Sequence, residues 1–212
     1  MPETIECPKR VYQSTEQRQS ATIEAVVQLS ADQDPSTLTT ASIAERVGLS
    51  QGALFKHFPT KGRLWESVAR WVSDQLSQRV FSVTEQYEQA DKALEAMFMA
   101  HVSFIVQNPG VPRLMLGELQ KPGKGPAKQV VRNTLANYRH RVVTLLKRGA
   151  EQGCLGRDID TEAAAVLYLG AIQGLVVQGM VSGELHAIEH MATRIYRLFS
   201  DSLLETTHDK EK

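Results

Sequence analysis

Between Thr39 and Lys61 the run TTASIAERVGLSQGALFKHFPTK carries three residues suited to capping helix starts, Thr39, Ser50 and Thr60, with Gly48 and Pro59 as stops. Punctuation this dense leaves room only for two short helices joined by a tight turn. Thr39 opens the first, Ile43, Ala44 and Val47 form its inward face, and Gly48 ends it. Ser50 opens the second, which stops at Phe58 because a proline disfavours α geometry in the residue before it. A small residue where two helices cross, a glycine in the turn and apolar pins on either side are what a helix-turn-helix requires. Ala44, Gly48 and the set Ile43, Val47, Leu49, Leu54 and Phe58 meet those demands.

Packing the first helix of such a motif across the backbone of a duplex frees the outer face of the second for the major groove. That face comprises Gln51, Gly52, Ala53, Phe55, Lys56 and His57, entered through Ser50. A glutamine makes paired hydrogen bonds to an adenine edge, an alanine methyl touches a thymine methyl, and a glycine lets backbones approach. Lys56, His57, Lys61 and the hydroxyls of Thr39 and Thr40 suit phosphate oxygens, which fix register rather than sequence. Charge adds little. The 24 basic and 24 acidic side chains balance, and from Thr40 to Arg70 only Arg46, Lys56, Lys61, Arg63 and Arg70 stand against Glu45 and Glu66.

The segment from about Glu16 to Trp71 resembles the N-terminal domain of the TetR family of bacterial regulators. The resemblance rests on the helix-turn-helix running into Phe55, Lys56, His57, Phe58, Pro59, Thr60 and Lys61, followed by Leu64 and Trp65. It implies a homodimer that binds a palindromic operator, a double-stranded DNA partner contacted at Thr39, Gln51, Gly52, Phe55, His57 and Lys61. It also implies a repressor released by a small, largely apolar inducer of unknown identity. Three positions depart from the pattern: Gly62 replaces an acidic residue, the loop before Thr39 has Pro35 in place of a Gly-aromatic pair, and Lys56 replaces an aromatic or polar residue.

Helical spacing dominates the rest of the chain, so the expected fold is all-α with about nine helices. Residues 1–15 are expected to form a flexible arm and 16–60 a three-helix DNA-binding domain. A helical ligand-binding and dimerisation domain follows over 61–205, with a polar tail at 206–212. The 21 uncharged residues between Glu162 and Glu184 are long enough to span a bilayer. Their glutamines and glycines and their acidic flanks, without Lys, Arg or Trp anchors, read instead as a buried helix. Two cysteines 147 positions apart, Cys7 and Cys154, give neither a disulfide framework nor a metal site, which fits a reducing cytoplasm.

In the last helix Leu185, Ile188, Ala192, Ile195 and Phe199 recur at steps of three and four, and the preceding helix offers Leu169, Gly170, Ile172, Gly174 and Val176. These residues are expected at the dimer interface. Spacing alone leaves open that they face the chain's own core, and the resemblance favours the partner. Met97, Phe98, His101, Phe104, Met115, Leu116 and Tyr138 are the expected lining of an apolar inducer cavity, with His101 as its polar contact. His186 and His190 have the spacing of a metal pair without a third ligand. No phosphate loop, nucleophile elbow or zinc-protease motif is present, so neither catalysis, cofactor nor metal is expected. The rival expectation is a DNA-bound regulator whose body docks a protein partner.

Overall fold

A computed structural model describes residues 14–204, so the expected arm up to Gln13, Cys7 and the tail lie outside the described residues. Nine α-helices and no strand occur among the described residues: α1 (Thr15–Asp32), α2 (Thr40–Arg46), α3 (Gln51–His57), α4 (Lys61–Leu76), α5 (Ala90–Gln107), α6 (Gly110–Gln120), α7 (Pro126–Gln152), α8 (Thr161–Ser182) and α9 (Ile188–Asp201). The order follows the caps. Ser14 and Gln17 form a reciprocal capping box on α1, and the Asp160 carboxylate accepts from the backbone of Glu162 and Ala163 to start α8. Gly153 and Gly183, at φ 72° and 75°, turn the chain out of α7 and α8 in the left-handed region open to glycine.

One apolar core runs without a break from Val26 of α1 to Leu203 beyond α9. The head, α1 to α3, is therefore fused to the body. Two contacts carry the fusion: α4 runs out of the head and packs along α7, and α6 packs across α1. Gly110 makes the second possible, since a Cβ there would lie 2.0 Å from the Val27 carbonyl oxygen.

Aromatic rings fill the centre of the body. Phe98 meets Tyr168 at 5.3 Å and Tyr196 at 5.3 Å, Phe81 meets Tyr138 edge-on at 5.0 Å, and Tyr168 meets Phe199 at 5.4 Å. The hydroxyls are satisfied: Tyr168 donates to the Leu94 carbonyl at 2.9 Å and Tyr196 to that of Asp91 at 3.1 Å. Helix α8 is long and apolar enough to cross a membrane. Here Tyr168, Ile172, Leu175 and Val176 bury one of its faces within the body.

Candidate nucleic-acid interface

The turn between α2 and α3 is built from backbone bonds that Gly48 permits. Gly48, at φ 66°, donates to Glu45, and Leu49 donates to Ala44 at 2.9 Å. The Ser50 hydroxyl accepts from Ala53 at 3.2 Å and the Thr39 hydroxyl from Ser42 at 3.1 Å. Ser42 returns the bond through its own hydroxyl, which accepts from the Thr39 N–H at 3.2 Å. Ser42 was not among the expected residues; its signal is the spacing of a capping box, with a serine where Glu or Gln is usual. Leu54 and Phe58 are buried with Leu38, Ile43 and Leu64, which seats α3 on the rest of the head. At the far end, the Gln19 amide reaches the His57 carbonyl at 3.5 Å, a brace from α1 that no local pattern announces.

The opposite face of α3 is turned largely to solvent. Gln51, Gly52, Phe55 and Lys56 are exposed, and Ala53 and His57 are half-buried beside them. Open space surrounds Gly52, so internal packing does not require a glycine there. The Gln51 amide nitrogen donates to the Thr40 hydroxyl at 2.7 Å, which ties this side chain to the start of α2. Lys61, expected at a phosphate, also has partners within the chain. Its ammonium donates to the Leu38 carbonyl at 2.5 Å and lies 5.5 Å from the Trp65 ring centre, so it ties α4 to the loop before α2. Its neighbour Gly62 weakens the first turn of α4, and ion pairs reinforce the next. Arg70 and then Arg63 hydrogen-bond the Glu66 carboxylate, at 2.8 and 2.9 Å, and hold its pKa below the ordinary value.

The expected inducer cavity is not what these seven residues form. Met97, Phe98, Phe104 and Tyr138 are packed into the core, and His101 meets the Tyr138 hydroxyl at 3.0 Å through Nδ1. Burial depresses the His101 pKa to about 4, so the ring is neutral near pH 7. Met115 is half-buried, while Leu116 is exposed on an open groove between α6 and the loop after α1. Helical spacing found real core positions here; of the seven, only Met97 and Leu116 line a depression, and the two depressions are separate.

The expected dimer stripe is also rotated. Ile172, Val176, Ile188, Ala192 and Phe199 are buried in their own protomer, and Leu169, Leu185 and Ile195 pack half-buried against it. Only Gly170 and Gly174 are exposed. They belong to a different seam on α8: Leu167, Gly170, Gly174, Val177 and Val181 recur at steps of three and four, all on the outer face. On α9, Met191 and Leu198 are exposed, the latter to 70%. A Cβ at Gly170 or Gly174 would meet nothing within 4 Å in the protomer.

A family model described as bacterial regulatory proteins of the tetR family matches residues 23–68, from within α1 to within α4. A nucleoid occlusion factor, SlmA from Photobacterium profundum, is 24% identical over 158 residues, covering 74% of this chain and 81% of that protein. Among solved structures, a TetR transcription regulator from Haloarcula marismortui superposes with a TM-score of 0.77 at 17% identity, over 90% of this chain and 100% of that one. The transcriptional regulator FadR from Bacillus subtilis, solved in complex with stearoyl-CoA, superposes with a TM-score of 0.76 at 17% identity, over 87% and 98% of the two chains.

Proposed function

The chain belongs to the TetR family of bacterial regulatory proteins, and we propose that it works in the cytoplasm as a homodimeric repressor whose α3 helices read a palindromic operator. The carrying observation is the solvent face of α3, with Gln51 braced by Thr40 and open space at Gly52. On this reading Gln51 and Ala53 read base edges, Gly52 admits the duplex, and Lys56, His57, Thr39 and Thr40 hold phosphates. Phe55, exposed to 39%, packs on the sugar-phosphate wall.

The outer seam of α8, with Met191 and Leu198 of α9, supplies the dimer contact. Burying each exposed Val or Leu there stabilises the pair by about 1.5–3 kcal/mol, less the cost of association. Two glycines in the seam let the paired α8 helices approach closely. A ligand on the body releases DNA by favouring a spacing of the two heads that the operator cannot match. Titration of the DNA upstream of the chain's own gene tests the proposal: two protomers per site and salt-sensitive binding support it.

A second reading has one observation in its favour, the aromatic packing of the body's centre. It assigns the body to a protein partner in place of a small molecule. Release of operator DNA by a small compound alone decides against it.

A further inference from the structure

A cleft of about 550 Å³ opens between α4 and α7, within the size range of small-molecule sites. Its position follows from an irregularity. Past Leu76, α4 continues as a π turn over Ser77–Phe81, closed by the Ser82 N–H bonding to the Ser77 carbonyl. Single π turns widen a helix by one residue and recur at functional sites. Ser77 and Phe81 both face the cleft, with Met97 and Leu145 beside Phe81 as its buried apolar floor. The rim is polar, with Thr134, Asn137, His140, Arg141 and Thr144 on the α7 side.

The charge on that rim has one sign. Arg141 lies over the Phe81 ring, 4.7 Å from its centre, and forms no ion pair among the described residues. No carboxylate lines the cleft; Asp74 lines a separate depression next to it. Helix α7 carries Lys128, Arg132, Arg139, Arg141, Lys147 and Arg148 against the single acid Glu151, in a chain whose total charge is zero. The Thr134 and Thr144 hydroxyls donate to the Val130 and His140 carbonyls, so the groups left for an anion are the guanidinium steadied on a ring and the Asn137 amide, above an apolar floor.

We propose that this cleft binds a small amphipathic anion, a carboxylate with an apolar body, whose charged group pairs with Arg141 and whose body lies on Phe81, Met97 and Leu145. The inference rests on the ligand-responsive reading above and gives the largely apolar inducer a charged group. An anion wedged here spreads α4 from α7, and α4 leads directly into the head.

Calorimetric titration of the full chain with octanoate, octanamide and inorganic phosphate tests it without DNA. Octanoate is expected to bind at least about 10-fold more tightly than its neutral isostere octanamide and than phosphate. Arg141→Met, at an exposed position, is expected to weaken octanoate about 10-fold or more and leave octanamide within about 2-fold. Thr144→Trp, on the exposed rim, fills the cleft and is expected to abolish binding of both. Equal affinity for octanoate and octanamide, phosphate binding as tightly as octanoate, or indifference to Arg141→Met overturns the proposal. Octanoate binding that depends on Arg141 yet leaves operator affinity unchanged keeps the site and refutes ligand-driven release.

Discussion

The side-chain amide of Gln51 donates to the hydroxyl of Thr40 at 2.7 Å, so the first residue of α3 is held by the first residue of α2. The bond spans the helix-turn-helix on its exposed side. It ties the Gln51 side chain to the start of α2 before any duplex arrives. Thr40→Val removes the acceptor while keeping the side-chain shape. An operator affinity lower by about 3- to 10-fold, the equivalent of one modest hydrogen bond, is expected in an anisotropy titration. Thermal unfolding is expected to change little, because the bond is exposed; an equal loss of both would assign Thr40 to stability instead.

Gly110 couples body to head by close approach. A methyl there would sit 2.0 Å from the Val27 carbonyl oxygen and 2.9 Å from the Ala31 nitrogen, both rigid backbone of α1. Gly110→Ala is expected to cost about 1–3 kcal/mol and to push α6 from α1. Gly117→Ala, seven residues along the same helix with open space around it, is expected to stabilise by about 0.5–1 kcal/mol. Urea melts of the two variants check this; similar values would mean that the α1–α6 contact is soft.

His101 gives stability a pH dependence whose sign is fixed. Its pKa is about 4 in the folded chain against 6.5 as the reference, so between these values the unfolded chain holds more protons. The contribution is fully present above about pH 6.5 and declines as pH falls toward 4, by at most about 1.4 kcal/mol per pH unit. Denaturant melts from pH 7.5 to 4.5 measure the slope. His101→Gln is expected to flatten it, and an unchanged slope would place the titrating group elsewhere.

Two adjacent apolar positions on α9 are expected to behave oppositely. Leu198 is 70% exposed and Phe199 is 4% exposed. Leu198→Glu is expected to leave the protomer folded and to halve the sedimenting mass at micromolar concentration, because the dimer would bury an unpaired charge. Phe199→Ala is expected to destabilise the protomer itself by about 3–5 kcal/mol. Sedimentation and melting on the same samples separate the two.

The head was legible from residues because its signals are local. Thr39, Ser50 and Thr60 cap the helices they were expected to cap, and α3 gives way at Phe58 before Pro59. The body was legible as helices but not in rotation. Helix α8 is apolar on both sides, with Ile172, Leu175 and Val176 inward and Leu167, Val177 and Val181 outward, so spacing gives no preferred direction. The filled core was likewise hidden. Phe98 and Tyr138 carry the same pattern whether they line a cavity or close it, and only the meeting of rings from α5, α7, α8 and α9 decides. Lys61 has the motif position of a phosphate contact, and its bond to a carbonyl distant by 23 residues was not legible there.

The central claim is that α3 reads DNA in a dimer. Its most direct test is an anisotropy titration of the DNA upstream of the gene across a series of salt concentrations, with Gln51→Ala and Lys56→Ala beside the native chain. Salt-sensitive binding is expected, with the log–log salt slope reduced by roughly one per bound protomer for Lys56→Ala, and discrimination against unrelated DNA reduced for Gln51→Ala. Binding that ignores salt and both substitutions would contradict the account.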